Sequence, residues 1–228
     1  MHNKERVYFY HVRKTGGTSI NQMFFETSSK SGSQIFENIR NSQSKTFNFN
    51  NLKFVGANKV MLESGDFFYG YSHFPFHEID IPPKTYTFTV FRDPVDRVLS
   101  HYKMLQKYVN ENRQYEWLKK ETRWLGDSFE EFVENIPRER LLNQLYMFSK
   151  NFEVEEAIEN VNSLDRYFFL NQMNLLTNTL SKDLSLRLNP RHERAISTGF
   201  SIKESTIAKL KDSLCDEYSL LNSINIDL

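Results

Sequence analysis

The segment Thr85-Tyr86-Thr87-Phe88-Thr89-Val90-Phe91 alternates along its length and is rich in β-branched and aromatic residues, and Val7-Tyr8-Phe9-Tyr10-His11 shares that chemistry. Both read as strands. Extended to the whole chain, the periodicity predicts strands near 6–11, 53–56, 67–71, 85–91 and 166–170, and helices near 18–28, 94–109, 128–135, 138–149, 153–163 and 203–222. Such alternation predicts an α/β fold: a parallel sheet flanked by helices on both faces, with ligands at the carboxyl ends of the strands. The Ser-, Asn- and Gln-rich stretch 32–51 reads as a surface loop and 110–127 as a charged helical excursion. With no internal repeat, residues 1–228 are expected to form one domain.

Both strands empty into chemically distinctive turns. After the first comes Arg13-Lys14-Thr15-Gly16-Gly17-Thr18-Ser19, opening a helix. The glycines accept backbone angles that let successive N–H groups converge, the helix adds its positive N-terminal end, and Lys14 adds a movable charge. A lysine beside a glycine turn is ordinarily just solvated, but strand, lysine, two glycines, two hydroxyls and helix together point to a phosphate-type anion. In ATP- or GTP-using kinase loops the lysine follows the second glycine and directly precedes Ser or Thr. Here Lys14 precedes both glycines, and no strand-terminal Asp suited to magnesium accompanies it, so an anion bound without Mg²⁺ is expected.

After the second strand, Arg92-Asp93-Pro94 breaks the pattern and a helix begins with Pro94 in its first turn. Ser100 lies eight residues beyond Arg92, a little over two helical turns, so the two can flank one ligand group. The planar guanidinium fork suits phosphate, although Arg92 and Asp93 taken alone read equally well as a local ion pair.

Together, at this order and separation, the two segments resemble the sulfotransferases that use 3′-phosphoadenosine 5′-phosphosulfate, most closely the carbohydrate branch with the heparan sulfate 2-O-sulfotransferases and their bacterial relatives. Three weaker likenesses follow in order: Gly70-Tyr71-Ser72-His73-Phe74-Pro75; Leu142-Asn143-Gln144 with the segments from Val154 and Leu164; and Ser197-Thr198-Gly199-Phe200-Ser201 with the closing helix. The resemblance implies a P-loop-NTPase-like sheet. It implies that Arg13, Lys14, Thr15, Gly16, Gly17, Thr18 and Ser19 cradle the 5′-phosphosulfate and that Arg92 and Ser100 hold the 3′-phosphate. Thr198, Gly199 and Phe200 would form the nucleotide loop, with adenosine 3′,5′-bisphosphate as product.

For sulfuryl transfer, Lys14 is the candidate for stabilising the leaving oxygen, and Ser19 its restraint before the acceptor binds. His73 is the candidate base, since neutral imidazole can take a hydroxyl proton near physiological pH, with His77 as fallback. His101 reads as a surface or packing residue. Scattered histidines and one cysteine show no metal-ligand spacing, so no metal is expected.

Composition narrows the class. With 39% hydrophobic and 14% aromatic residues the chain can bury a real core. Its 29 basic residues balance 29 acidic ones, which argues against general binding to nucleic acid or a membrane surface. The single Cys215 suits a reducing compartment, and the start of the chain shows neither signal nor anchor, so a cytoplasmic, bacterial enzyme is expected. The acceptor is expected to be a saccharide or a small hydroxylated metabolite. Two other classes stay open: a kinase-like phosphotransferase, marked by dependence on magnesium and ATP, and a nucleotide-binding module without catalysis.

Overall fold

The computed structural model describes residues 4–190 and 202–224. In chain order the elements are β1 (Arg6–Tyr10), α1 (Gly17–Phe25), α2 (Gly32–Asn41), β2 (Thr46–Phe49), β3 (Leu52–Gly56), α3 (Lys59–Ser64), β4 (Tyr69–Ser72), β5 (Thr85–Phe91), α4 (Pro94–Asn110), α5 (Glu116–Glu121), α6 (Phe129–Asn135), α7 (Arg138–Leu141), α8 (Asn143–Phe148), α9 (Val154–Asn162), β6 (Arg166–Phe169), α10 (Met173–Leu184), α11 (Glu204–Ser213) and α12 (Cys215–Ile224). The strands form one sheet in the order β2-β3-β4-β1-β5-β6. Strand β2 runs antiparallel to β3; every other neighbouring pair is parallel.

Alternation along β1 divides the interior in two. Val7 and Phe9 point into a core with Ile20 and Phe24 of α1, Ile35 and Ile39 of α2 and Leu176 of α10. Tyr8 and Tyr10 point the other way, into a core with Val98 of α4, Phe132 of α6, Leu145 of α8, Val161 of α9 and Leu220 of α12. Side chains of opposite parity along a strand emerge on opposite faces, so a central strand apolar on both parities requires helices on both sides. The expected α/β sheet is what forms. Among the described residues no helix is long and apolar enough to cross a membrane.

Several local expectations need correction. The stretch 32–51 is not a surface loop: it holds α2 and β2, because Ile35 and Ile39 lie one helical turn apart and are buried against α1. Helix α10 also arises where none was expected, burying Met173, Leu176, Thr177 and Leu180. Those positions follow helical spacing, but a threonine in the stripe and the surrounding Asn, Ser and Lys dilute the signal. The helix expected over 138–149 breaks at Leu142 (φ −98°, ψ 46°), and the one over 203–222 breaks at Leu214 (φ −104°, ψ 10°).

Candidate functional site

Register places the site. Tyr10 pairs with Ser72 on one side and Thr89 on the other, so the chain leaves β1, β4 and β5 along one sheet edge. The His11 N–H donates to the Ser72 carbonyl at 3.0 Å, and the His11 and His73 rings lie 4.3 Å apart. Residues 62 positions apart in sequence thereby become neighbours.

The turn after β1 is conformationally demanding. Lys14 (φ 70°) and Gly16 (φ 83°) are both left-handed, and Gly16 is the N-cap of α1 with no side chain capping it. The leading N–H groups of that helix are therefore not occupied by a cap. A Cβ on Gly17 would lie 1.7 Å from His11 Nε2, so this close approach of ring to backbone requires glycine. The fully buried Thr15 turns its hydroxyl inward, donating to the Val12 carbonyl at 2.8 Å, and so stiffens the turn. Thr18 is exposed in the first helical turn and Ser19 is buried.

Cations crowd this turn. Burial, then Arg92, then Arg13 push the Lys14 pKa down to about 8, with Glu121 opposing them more weakly. Arg13 is differently placed: its guanidinium pairs with Glu121 at 3.0 Å. Glu121 also faces His101 Nε2 at 3.0 Å and Arg140 Nε at 3.9 Å, so the Arg13 side chain is tied into the protein, whereas the Lys14 ammonium meets no carboxylate within ion-pair distance among the described residues.

The turn after β5 is built from side chains. Asp93 caps α4 by accepting the Asp96 N–H at 2.9 Å and also accepts the Tyr218 hydroxyl at 3.1 Å. Arg92 is thus not in a local pair with Asp93; its nearest carboxylate is Asp96, at 4.0 Å. Its Nη1 donates to the Lys14 carbonyl at 3.3 Å, joining the two turns directly. Ser100 is half-buried on α4. An open cleft of ≈ 440 Å³ adjoins Arg92 and is lined by Asp93, Phe169, Leu170, Asn171 and Tyr218. Leu170 also packs on Gly16, so this cleft borders the first turn as well. Thr198, Gly199 and Phe200 lie outside the described residues.

His73 follows β4. Its Nδ1 lies 2.6 Å from the His11 carbonyl, which can only accept, so Nδ1 carries the proton and Nε2 keeps its lone pair. Dense packing and then Arg13 depress its pKa to about 3; the ring's exposed edge lets solvent temper that fall, but the direction leaves it neutral at pH 7. His73 lines a second open cleft, ≈ 390 Å³, with Glu78, Glu139, Arg140, Asn143 and Tyr146. His77 is not among the lining residues; it lies edge-on to Tyr146 with ring centroids 5.4 Å apart.

Behind both turns stands a polar layer that sequence reasoning did not anticipate. Asn143 Oδ1 accepts the Arg13 N–H at 3.1 Å, and Gln144 Oε1 accepts the Arg92 N–H at 2.8 Å. Gln144 donates through Nε2 to Glu217 at 3.1 Å, and Glu217 lies 3.7 Å from the guanidinium of Arg97, with both of these side chains fully buried. Arg97 in turn donates to the carbonyls of Arg140 and Leu141. His101, expected at the surface or in packing, is buried against Glu121. The sequence traces of this layer are the Leu142-Asn143-Gln144 segment and the closing helix that carries Glu217, and nothing in one dimension ties either to Arg13 or Arg92.

No family model and no curated protein matches the chain. Among solved structures it is similar to a retinol dehydratase in complex with androsterone and the inactive cofactor PAP, with 12% identity, a TM-score of 0.38, and 92% of this chain aligned to 64% of that one. The chain thus spans under two thirds of that protein's length.

Proposed function

We propose that the protein is a sulfotransferase that moves the sulfuryl group from 3′-phosphoadenosine 5′-phosphosulfate to a hydroxyl of a saccharide or small hydroxylated metabolite. The observation that carries this reading is the junction of two cationic turns, Arg92 Nη1 to the Lys14 carbonyl, at the sheet edge where His73 also emerges. One turn and one phosphate would suit many nucleotides. Two turns joined in this way suit a nucleotide with anionic groups at both its 5′ and 3′ positions.

The residues present fit such a ligand. An uncapped helix N-terminus stands beside Lys14, whose charged form burial and two arginines disfavour, and an anion relieves that penalty. The bound cofactor supplies an activated sulfuryl group and a phosphate leaving group. Lys14 provides positive charge where negative charge develops, and the leading N–H groups of α1 orient the same anion. Arg92, with Ser100, holds the second phosphate. His73 Nε2 accepts the proton of the acceptor hydroxyl, a role its tautomer leaves open. The acceptor occupies the His73 cleft, where two carboxylates, an amide, a guanidinium and a tyrosine suit a hydroxyl-rich molecule.

The test measures release of adenosine 3′,5′-bisphosphate from the cofactor across a panel of sugars and hydroxylated metabolites, in chelator. Turnover with at least one acceptor is expected, and His73→Ala should lower kcat about 100- to 10,000-fold while retaining nucleotide binding. Phosphotransfer requiring ATP and magnesium would overturn the reading in favour of a kinase. Tight binding of the bisphosphate without turnover would leave a nucleotide-binding module.

A further inference from the structure

The neighbouring side chains Asn143 and Gln144 each hold one anion turn by its backbone. Asn143 takes the N–H of the residue just before Lys14, and Gln144 takes the N–H of Arg92 itself. The assignment of their amide oxygens is dictated by chemistry: a backbone N–H can only donate, and the Gln144 nitrogen faces the Glu217 carboxylate, which accepts. The Gln144 backbone N–H also donates to Glu217, at 2.6 Å, and the Asn143 amide nitrogen donates to the Glu139 carbonyl at 3.1 Å. Both amides are thus held from behind as well as in front. Gln144 and Glu217 are fully buried, so these bonds are shielded from competing water.

From this geometry we infer that Asn143 and Gln144 are positioning residues that set the separation and aim of the two anion turns, so that the pair reads a nucleotide carrying phosphates at both 5′ and 3′ positions. The inference rests on the nucleotide reading above. Two adjacent residues of one short helix brace both turns, so a single rigid peptide unit spans them in addition to the β1–β5 pairing and the Arg92–Lys14 contact. Asn143 governs the backbone from which Lys14 projects with φ 70°; Gln144 governs the base of the Arg92 side chain. The break at Leu142 presents both amides at the sheet edge.

Calorimetry on the full chain with AMP, 3′-AMP and adenosine 3′,5′-bisphosphate separates positioning from general support of the fold. Asn143→Leu should weaken AMP roughly tenfold and leave 3′-AMP within about twofold, Gln144→Leu should do the reverse, and each should weaken the bisphosphate roughly tenfold. Asn143→Gln keeps both an amide oxygen for the Arg13 N–H and an amide nitrogen for the Glu139 carbonyl, and should recover AMP affinity relative to Asn143→Leu. Equal losses for both monophosphates in a variant that melts as the wild type does, or no loss, would overturn the inference. Should Gln144→Leu fail to fold, the two Asn143 variants decide the matter alone. A wild type that binds the bisphosphate no more tightly than AMP would overturn the nucleotide reading itself, and this inference with it.

Discussion

The turns after β1 and β5 both join a strand to a helix at the same sheet edge, yet they offer an anion opposite things. The first keeps its helix N-terminus uncapped, holds two left-handed residues and leaves no room for a side chain at Gly17. The second has its helix capped by Asp93, has Pro94 in its first turn, and can offer an anion only the side chain of Arg92 and what lies beyond it on α4. A backbone cradle is rigid and close-fitting, suited to a group whose charge changes during reaction; a guanidinium fork is suited to holding a group that does not react. In the proposed function chemistry therefore belongs to the first turn and affinity to the second.

Lys14→Ala tests that division with the largest expected effect. It should lower kcat about 100- to 1000-fold, because charge aimed at the developing anion is lost; near-normal kcat would dissolve the distinction between the turns. Arg92→Ala should instead weaken binding of adenosine 3′,5′-bisphosphate by about 1.5–3 kcal/mol, roughly 10- to 150-fold, with kcat at saturation little changed. If Arg92→Ala mainly lowered kcat, the roles would have to be exchanged.

Gly17→Ala probes rigidity itself. Its Cβ must displace the His11 ring, which also packs on His73, and such overpacking costs about 1–3 kcal/mol, read as a lowered Tm. The second turn holds no glycine; there Asp93→Ala would cost about 1 kcal/mol through loss of the helix cap and the Tyr218 contact. Unchanged stability of Gly17→Ala would show that the cradle is soft.

Titration gives the clearest sign. The Lys14 pKa is lowered from its ordinary 10.5 to about 8, so its charge is present below pH 8 and lost above it. Affinity for the bisphosphate should fall about tenfold between pH 7 and pH 9, as the charged fraction does. Stability of the ligand-free protein carries the opposite sign: the unfolded chain keeps its proton up to the ordinary value, so the penalty for burying charged Lys14 is full below pH 8 and fades between about 8 and 10.5. Lys14→Met should remove both dependences. Affinity that held steady to pH 9 would mean that Lys14 is not the cation the ligand meets.

What the chain determined by itself is local. Alternation in Thr85–Phe91 and the β-rich run at Val7 predicted β5 and β1, and Gly16 with Gly17 announced a turn that few other residues tolerate. These features depend on backbone sterics and on neighbours within one helical turn or one strand, which the order of residues specifies directly. Helix α2 escaped notice because its two buried isoleucines gain their meaning only from α1, and the Leu142 break because the amides of Asn143 and Gln144 are turned toward partners elsewhere in the chain. Tertiary structure alone decided that His73 would take its tautomer from the His11 carbonyl, that Arg13 would be held by Glu121, and that Asn143 and Gln144 would fasten both turns. Each of those contacts joins residues between 52 and 130 positions apart, and they exist only because strand register and helix packing bring the elements together before any side chain can find its partner.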